Sequence, residues 1–259
     1  MLELQELLEL SKSIATQAGM RLLDSFTQEH KHYCHCLDNP KEIKALADTV
    51  LETDILQALA HAGLPILSEE SGYIPGQRKS NYLFIVDPLD GTFNFVKGLG
   101  PSAVSIALWE DQKPIFGVIY SILDKQLAWG GADIGSYCDG ARISVSDTSN
   151  KTEASICTGF PTRFDVTNYS AIHDFWNLIR PYSKVRMLGS AAVSLLHVAR
   201  GSADAYSEQN IMLWDVAAGL AIVEGAGGSC VIRELAETWS YSIFASNAHL
   251  LPDLTDIVA

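Results

Sequence analysis

Long apolar runs are missing from this 259-residue sequence. None approaches the roughly 20 residues that span a bilayer, which excludes a chain built of membrane helices. Positive charge is scarce: 18 Lys and Arg stand against 31 Asp and Glu, a net charge of −13. The cations form no cluster, and this excludes a nucleic-acid backbone as the main partner. Cysteine is sparse too. The five residues Cys34, Cys36, Cys138, Cys157 and Cys230 are odd in number and scattered, so they supply no disulfide framework and are expected as reduced thiols. Internal repeats and low-complexity tracts are absent. The opening MLELQELLEL carries acids where a secretory leader carries bases, and the expectation is a soluble, cytoplasmic protein. What is present is an ordinary globular mixture, 47% apolar and 19% charged, with length enough for one large domain or two moderate ones.

Periodicity divides the chain. Leu4, Leu7, Leu8, Ile14, Ala18 and Leu22 mark one face of a first helix; Leu51, Ile55, Ala58, Leu59 and Ala62 mark a second. Between them HKHYCHCLDNPKE (30–42) reads as a loop. His30, His32, Cys34, His35 and Cys36 are metal-ligand types, but no second cluster completes a site, and local compositional bias is the simpler reading. Strands are expected at 64–67, 82–86, 103–109, 115–120 and 126–129, with turns near 110–114 and 123–125. After about residue 147 the pattern alternates: strands at 155–159, 185–188, 203–208, 229–233 and 243–247, helices at 169–179, 191–200 and 214–224, and a short terminal helix. The expectation is an α+β unit over 1–147 and a β-α alternating unit over 148–259, with the functional site at their seam.

Acids sit where such folds place ligands. Asp54 lies in the second helix, Glu69 and Glu70 follow the strand LPIL, Asp87 and Asp90 follow YLFIV in VDPLDGTFNF (86–95), and Asp215 opens WDVAAGLAIVEGAGG (214–228). A carboxylate beside apolar residues costs several kcal/mol without a compensating cation or donors. An all-oxygen set favours Mg²⁺ or Mn²⁺ over Zn²⁺. Gly91 permits close backbone approach and Thr92 offers a hydroxyl, while a helix near Phe93 and GSAA (189–192) would each present amides to an anion. Taken alone, D-P-L-D-G reads better as a Pro-containing turn than as a ligand pair, and Asp215 can serve as a helix cap and a ligand at once.

Together Glu69-Glu70-Ser71, DPLDGTFNF (87–95), GSAAVSL (189–195) and WDVAAGLAIVEGAGG resemble the inositol monophosphatase family of lithium-sensitive, Mg²⁺-dependent phosphatases, in order and over nearly the whole chain. The resemblance implies a layered αβαβα sandwich, often dimeric, that hydrolyses a small polyol or sugar phosphate with metal-activated water. It implies two to three Mg²⁺ ions, with Mn²⁺ as a substitute. Glu69, Asp87, the Leu89 carbonyl and Thr92 correspond to the surroundings of the first ion, and Asp87, Asp90 and Asp215 to those of the second. Asp54 and Thr92 correspond to a catalytic pair that orients or deprotonates the nucleophilic water, and Glu70 to a group that orients a water on a third, weaker ion held by Glu69. Gly91, Thr92, Gly189, Ser190, Ala191 and Glu208 correspond to the phosphate and substrate contacts. Leu51 stands where many members carry threonine. Inositol monophosphate is the first substrate expected, with 3′-phosphoadenosine 5′-phosphate, fructose 1,6-bisphosphate and histidinol phosphate as alternatives. A binding protein of weak catalytic power, with the same fold, is the reading from another class.

Overall fold

A computed structural model of the chain describes residues 3–33, 51–160 and 167–250. Two sheets carry the architecture. The first has eight strands: β1 (Ile66–Ser68), β2 (Gly72–Ile74), β3 (Tyr82–Asp90), β4 (Ala103–Glu110), β5 (Lys113–Ser121), β6 (Gln126–Gly131), β7 (Gly135–Cys138) and β8 (Ala141–Arg142). Their order is β2-β1-β3-β4-β5-β6-β7-β8, with β1 parallel to β3 and every other pair antiparallel. The second sheet is built from β9 (Ser155–Thr158), β10 (Lys184–Arg186), β11 (Ala205–Met212), β12 (Ser229–Glu234) and β13 (Ser240–Ser246), in the order β10-β9-β11-β13-β12.

The layering follows from strand alternation, since successive side chains point to opposite faces. Phe84, Val86, Ile106, Leu108, Val118 and Tyr120 face one way and pack on α1 (Leu4–Tyr33) and on α2, described over 51–60. Their neighbours Ile85, Ala107 and Ile119 face the other way, onto α5 (Ala191–Ala199) and α6 (Leu213–Gly225). Those two helices also cover one face of the second sheet through Cys157, Tyr206 and Ile243, while Ile156, Ala205 and Phe244 on its far face meet Leu178 of α4 (Tyr169–Ile179). The result is the layered αβαβα arrangement. Helix α6 is apolar all round, as a helix sandwiched between two sheets has to be: Val216 to Val223 are all buried. Among the described residues no helix is long and apolar enough to cross a membrane.

Most expected elements appear within a few residues of their expected bounds, and the differences have physical causes. The 82–86 strand continues to Asp90, so DPLD is a bulge inside β3 rather than a turn after it. Helix α1 continues to Tyr33, into the start of the expected loop. The short β2, β7 and β8 and the six-residue α3 (Thr92–Lys97) carry too few apolar residues to leave a periodic signal. The remainder of the 30–42 loop and the terminal helix fall outside the described residues.

Candidate active site

Asp87 and Asp90 are three residues apart, a spacing that in a regular strand sends two side chains to opposite faces. The bulge reverses this. Asp87 lies opposite Ser105 and Asp90 opposite Ala103, so Pro88 and Leu89 together face only Val104, and both aspartates emerge on one side. Pro88 has no N–H to contribute to a ladder and is tolerated at a bulge. The Leu89 N–H, released from the ladder, donates to Asp87 Oδ1 at 2.9 Å.

Gly91 then turns the chain with φ +77°. A Cβ at this position would sit 2.8 Å from Pro101 O and 3.1 Å from Gly189 O. Only glycine lets the end of β3 approach the chain before α5 so closely. One residue on, the Thr92 hydroxyl donates to the Leu89 carbonyl at 2.8 Å.

The second half of the chain supplies the opposite wall. Asp90 accepts from the Ser190 hydroxyl and from the backbone amides of Ala191 (3.2 Å) and Ala192 (3.0 Å), the first turn of α5. The anion at that helix terminus is therefore Asp90 itself, which corrects the expectation that GSAA offers its free amides to a ligand. Asp215, in the first turn of α6, accepts from Met212 N at 3.2 Å. Oxygens of Asp87, Asp90 and Asp215 lie within 4.8 Å of one another. Glu69, just past β1, is the carboxylate whose charge acts most strongly on Asp87. Its neighbour Glu70 is exposed.

Sequence reading missed Glu52 and overvalued Asp54. Leu51, Ile55 and Leu59 form the buried stripe of α2, and Asp54 falls beside it, paired at the surface with Arg21 of α1. Asp54 is not among the charges acting on Asp87. Glu52, only 7% exposed, accepts from Ser68 Oγ (2.5 Å), Ser71 N (3.0 Å) and Ser71 Oγ (2.9 Å), and so pins both ends of the segment carrying Glu69. Nothing in the sequence distinguishes Glu52 from any other helical acid, because its partners lie 16 and 19 residues away.

A cleft of about 590 Å³ opens from these acids. Glu69, Asp90 and Asp215 line it together with Glu208, Phe160 and Trp214, and Gly189, Ser190 and Ala191 also border it. Glu208, on β11, precedes a bulge at Gln209–Asn210 and accepts from the Tyr206 hydroxyl at 2.9 Å. Of the sequence-predicted site residues, Glu69, Asp90, Gly189, Ser190, Ala191, Glu208 and Asp215 line the cleft; Asp87 lies against Asp90 and Asp215, with Leu89 and Thr92 hydrogen-bonded in series behind it, while Asp54 and Glu70 stand apart.

Charge is poorly compensated here. Burial, then the carboxylates of Glu69, Asp90 and Asp215, push Asp87 well above the usual carboxylate range. Burial, then Asp90, Glu69 and Glu208, do the same for Asp215. Asp90 is pushed up to about 6, chiefly by burial, against the lowering effect of its Ser190, Ala192 and Ala191 donors. Burial likewise brings Glu208 up to about 7. Two like charges some 5 Å apart at an effective dielectric of about 20 repel by roughly 3 kcal/mol. Three such pairs cost on the order of 10 kcal/mol, comparable with the whole stability of a typical domain. The ionised cluster therefore requires either protons or a cation. Its donors are all hard oxygens and the charged groups shifting Asp87 are all carboxylates, so the residues fit a divalent hard cation.

Comparison with known proteins adds to this geometry. A family model described as "Inositol monophosphatase family" matches residues 3–242. The chain is 34% identical over 244 residues to "Phosphatase IMPL1, chloroplastic" of Arabidopsis thaliana, covering 86% of this chain and 65% of that protein. It is 32% identical over 229 residues to a "Fructose-1,6-bisphosphatase/inositol-1-monophosphatase" of Aquifex aeolicus, covering 87% and 85%. The solved structure of inositol monophosphatase from Anabaena (Nostoc) superposes with a TM-score of 0.78 at 31% identity, over 95% of this chain and 92% of that one.

Proposed function

Because the chain belongs to the inositol monophosphatase family of phosphatases, we propose that it is a Mg²⁺-dependent phosphomonoesterase for a small polyol phosphate, with inositol monophosphate as first substrate. The observation that carries this reading is the convergence of Asp87, Asp90 and Asp215 within 4.8 Å in a part-buried, all-carboxylate wall.

Glu69, Asp87 and the Leu89 carbonyl would hold one ion; Asp87, Asp90 and Asp215 would hold a second. When bound, Mg²⁺ supplies a Lewis acid for the phosphoryl group and lowers the pKa of a coordinated water. The protein does the rest. Asp90 is kept in place by the Ser190 hydroxyl and two amides of α5, so one ligand is oriented before any ester arrives. Thr92 donates its hydroxyl to the Leu89 carbonyl, which leaves the lone pairs of its oxygen free to accept a hydrogen bond from the attacking water and orient it. Gly91, whose missing Cβ lets the end of β3 close on the Gly189 turn, would offer its backbone amide to the phosphate. Glu208, at the far side of the cleft, accepts hydrogen bonds from hydroxyls of the alcohol part, with Tyr206 fixing its rotamer. Asp54, engaged with Arg21, has no part in these steps.

The test is release of inorganic phosphate, with and without Mg²⁺, from inositol 1-phosphate, fructose 1,6-bisphosphate, 3′-phosphoadenosine 5′-phosphate and histidinol phosphate. Asp90→Asn is expected to keep an acceptor for Ser190 and retain the fold while losing turnover. Near wild-type turnover in that variant, or no Mg²⁺-dependent release from any of the four esters, would overturn the reading.

A further inference from the structure

Asn94 is the residue of VDPLDGTFNF that the preceding account leaves without work. It sits in α3, a helix bounded by Gly91 and Gly98, both in the left-handed region. Its Nδ2 approaches three backbone carbonyls: Pro101 O at 2.9 Å, Leu188 O at 2.6 Å and Gly189 O at 3.2 Å. Two of these acceptors lie 94 and 95 positions further along the chain, in the turn that leads into α5. That same turn continues into Ser190, Ala191 and Ala192, the three donors on Asp90. Two short segments, 90–94 and 188–192, are therefore tied at both ends, by Asp90 at one and Asn94 at the other. A ring of contacts closed in this way fixes the direction of the Asp90 carboxylate more tightly than three hydrogen bonds at one end alone.

We propose that Asn94 is a positioning residue for divalent-cation binding: its amide clamps the Leu188–Gly189 turn to α3 and so sets the orientation in which Asp90 meets the ion. The inference rests on the metal-dependent reading above. It also explains the residue type, since three carbonyls converging on one atom require an N–H₂ donor. An aspartate there sets acceptor against acceptor, and an aliphatic side chain leaves the carbonyls without a donor.

The experiment compares wild type, Asn94→Asp and the milder Asn94→Ser by Mg²⁺ calorimetry, Mg²⁺ dependence of phosphate release, and melting temperature without metal. Tenfold or greater weakening of Mg²⁺ binding is expected for Asn94→Asp and a smaller weakening for Asn94→Ser. At saturating Mg²⁺ the KM for the ester should be unchanged and kcat largely restored. If Asn94→Asp does not fold, Asn94→Ser decides. Folded variants with wild-type Mg²⁺ affinity, or with a lowered melting temperature as their only change, overturn the proposal. Wild-type protein that neither binds Mg²⁺ nor releases phosphate overturns instead the reading on which it rests.

Discussion

Single residues in the cleft have separable duties, and Glu208 makes the cleanest example. An ionised carboxylate accepts hydrogen bonds from hydroxyls more strongly than the protonated acid does, and burial brings this one up to about 7. The KM for a polyol phosphate should therefore fall as pH rises through about 7. Glu208→Gln keeps the shape but not the titration. It is expected to raise KM about tenfold at pH 8, flatten the pH profile, and leave Mg²⁺ half-saturation unchanged; steady-state kinetics between pH 6 and 9 read all three. The aspartates at 87, 90 and 215 were legible in the sequence because each sits in a distinctive local string. Asp54 misled, because helical spacing cannot say whether an acid at the edge of a buried stripe turns toward a site or toward a neighbouring helix. Here Arg21 decided the matter.

Among the elements, α6 and β5 show how closely a helix can lie on a sheet. Gly117 of β5 faces the backbone of Ala218, and a Cβ there would fall inside van der Waals contact with it. Gly117→Ala should force the helix outward and destabilise the chain by about 2 to 3 kcal/mol, as overpacked cores do, with a lowered urea midpoint and an unchanged slope. An unchanged midpoint would mean that the layer spacing is not set at this contact. The long strands and helices could be read from the sequence because alternation or 3.6-residue spacing runs through enough residues to be counted. The bulge in β3 could not. It consists of a missing N–H and one surplus residue, and it shows only when the opposing strand is in place. The two-residue turn at Asp111 and Gln112 lies inside the expected 110–114 connection, both residues having positive φ, as the twist of a tight hairpin requires.

For the whole molecule the acid cluster makes stability depend on pH in a direction set by the raised values. Asp90 moves from an ordinary 3.8 to about 6, and Glu208 from 4.5 to about 7. Between those limits the folded chain holds protons that the unfolded chain has shed, so stability is present at low pH and declines as pH rises through the window. A shift of two units corresponds to roughly 3 kcal/mol. The melting temperature of the metal-free protein should drop between pH 5 and pH 8, and added Mg²⁺ should raise it more at pH 8 than at pH 5. Scanning calorimetry at both values, with and without the ion, measures this; a metal-free melting temperature that climbs with pH would contradict it. The shared helical layer has a further bearing, on synthesis. The last strand of the first sheet ends at Arg142, yet α6, which covers that sheet's inner face, ends only at Gly225, roughly 80 residues later. At a ribosomal rate of about 5 to 20 residues per second, the inner face of a fully translated sheet stays bare for roughly 4 to 16 seconds. Until α5 and then α6 have been made, the nascent chain holds Ile85, Ala107 and Ile119 uncovered, so a chaperone can meet them before the chain's own helices do.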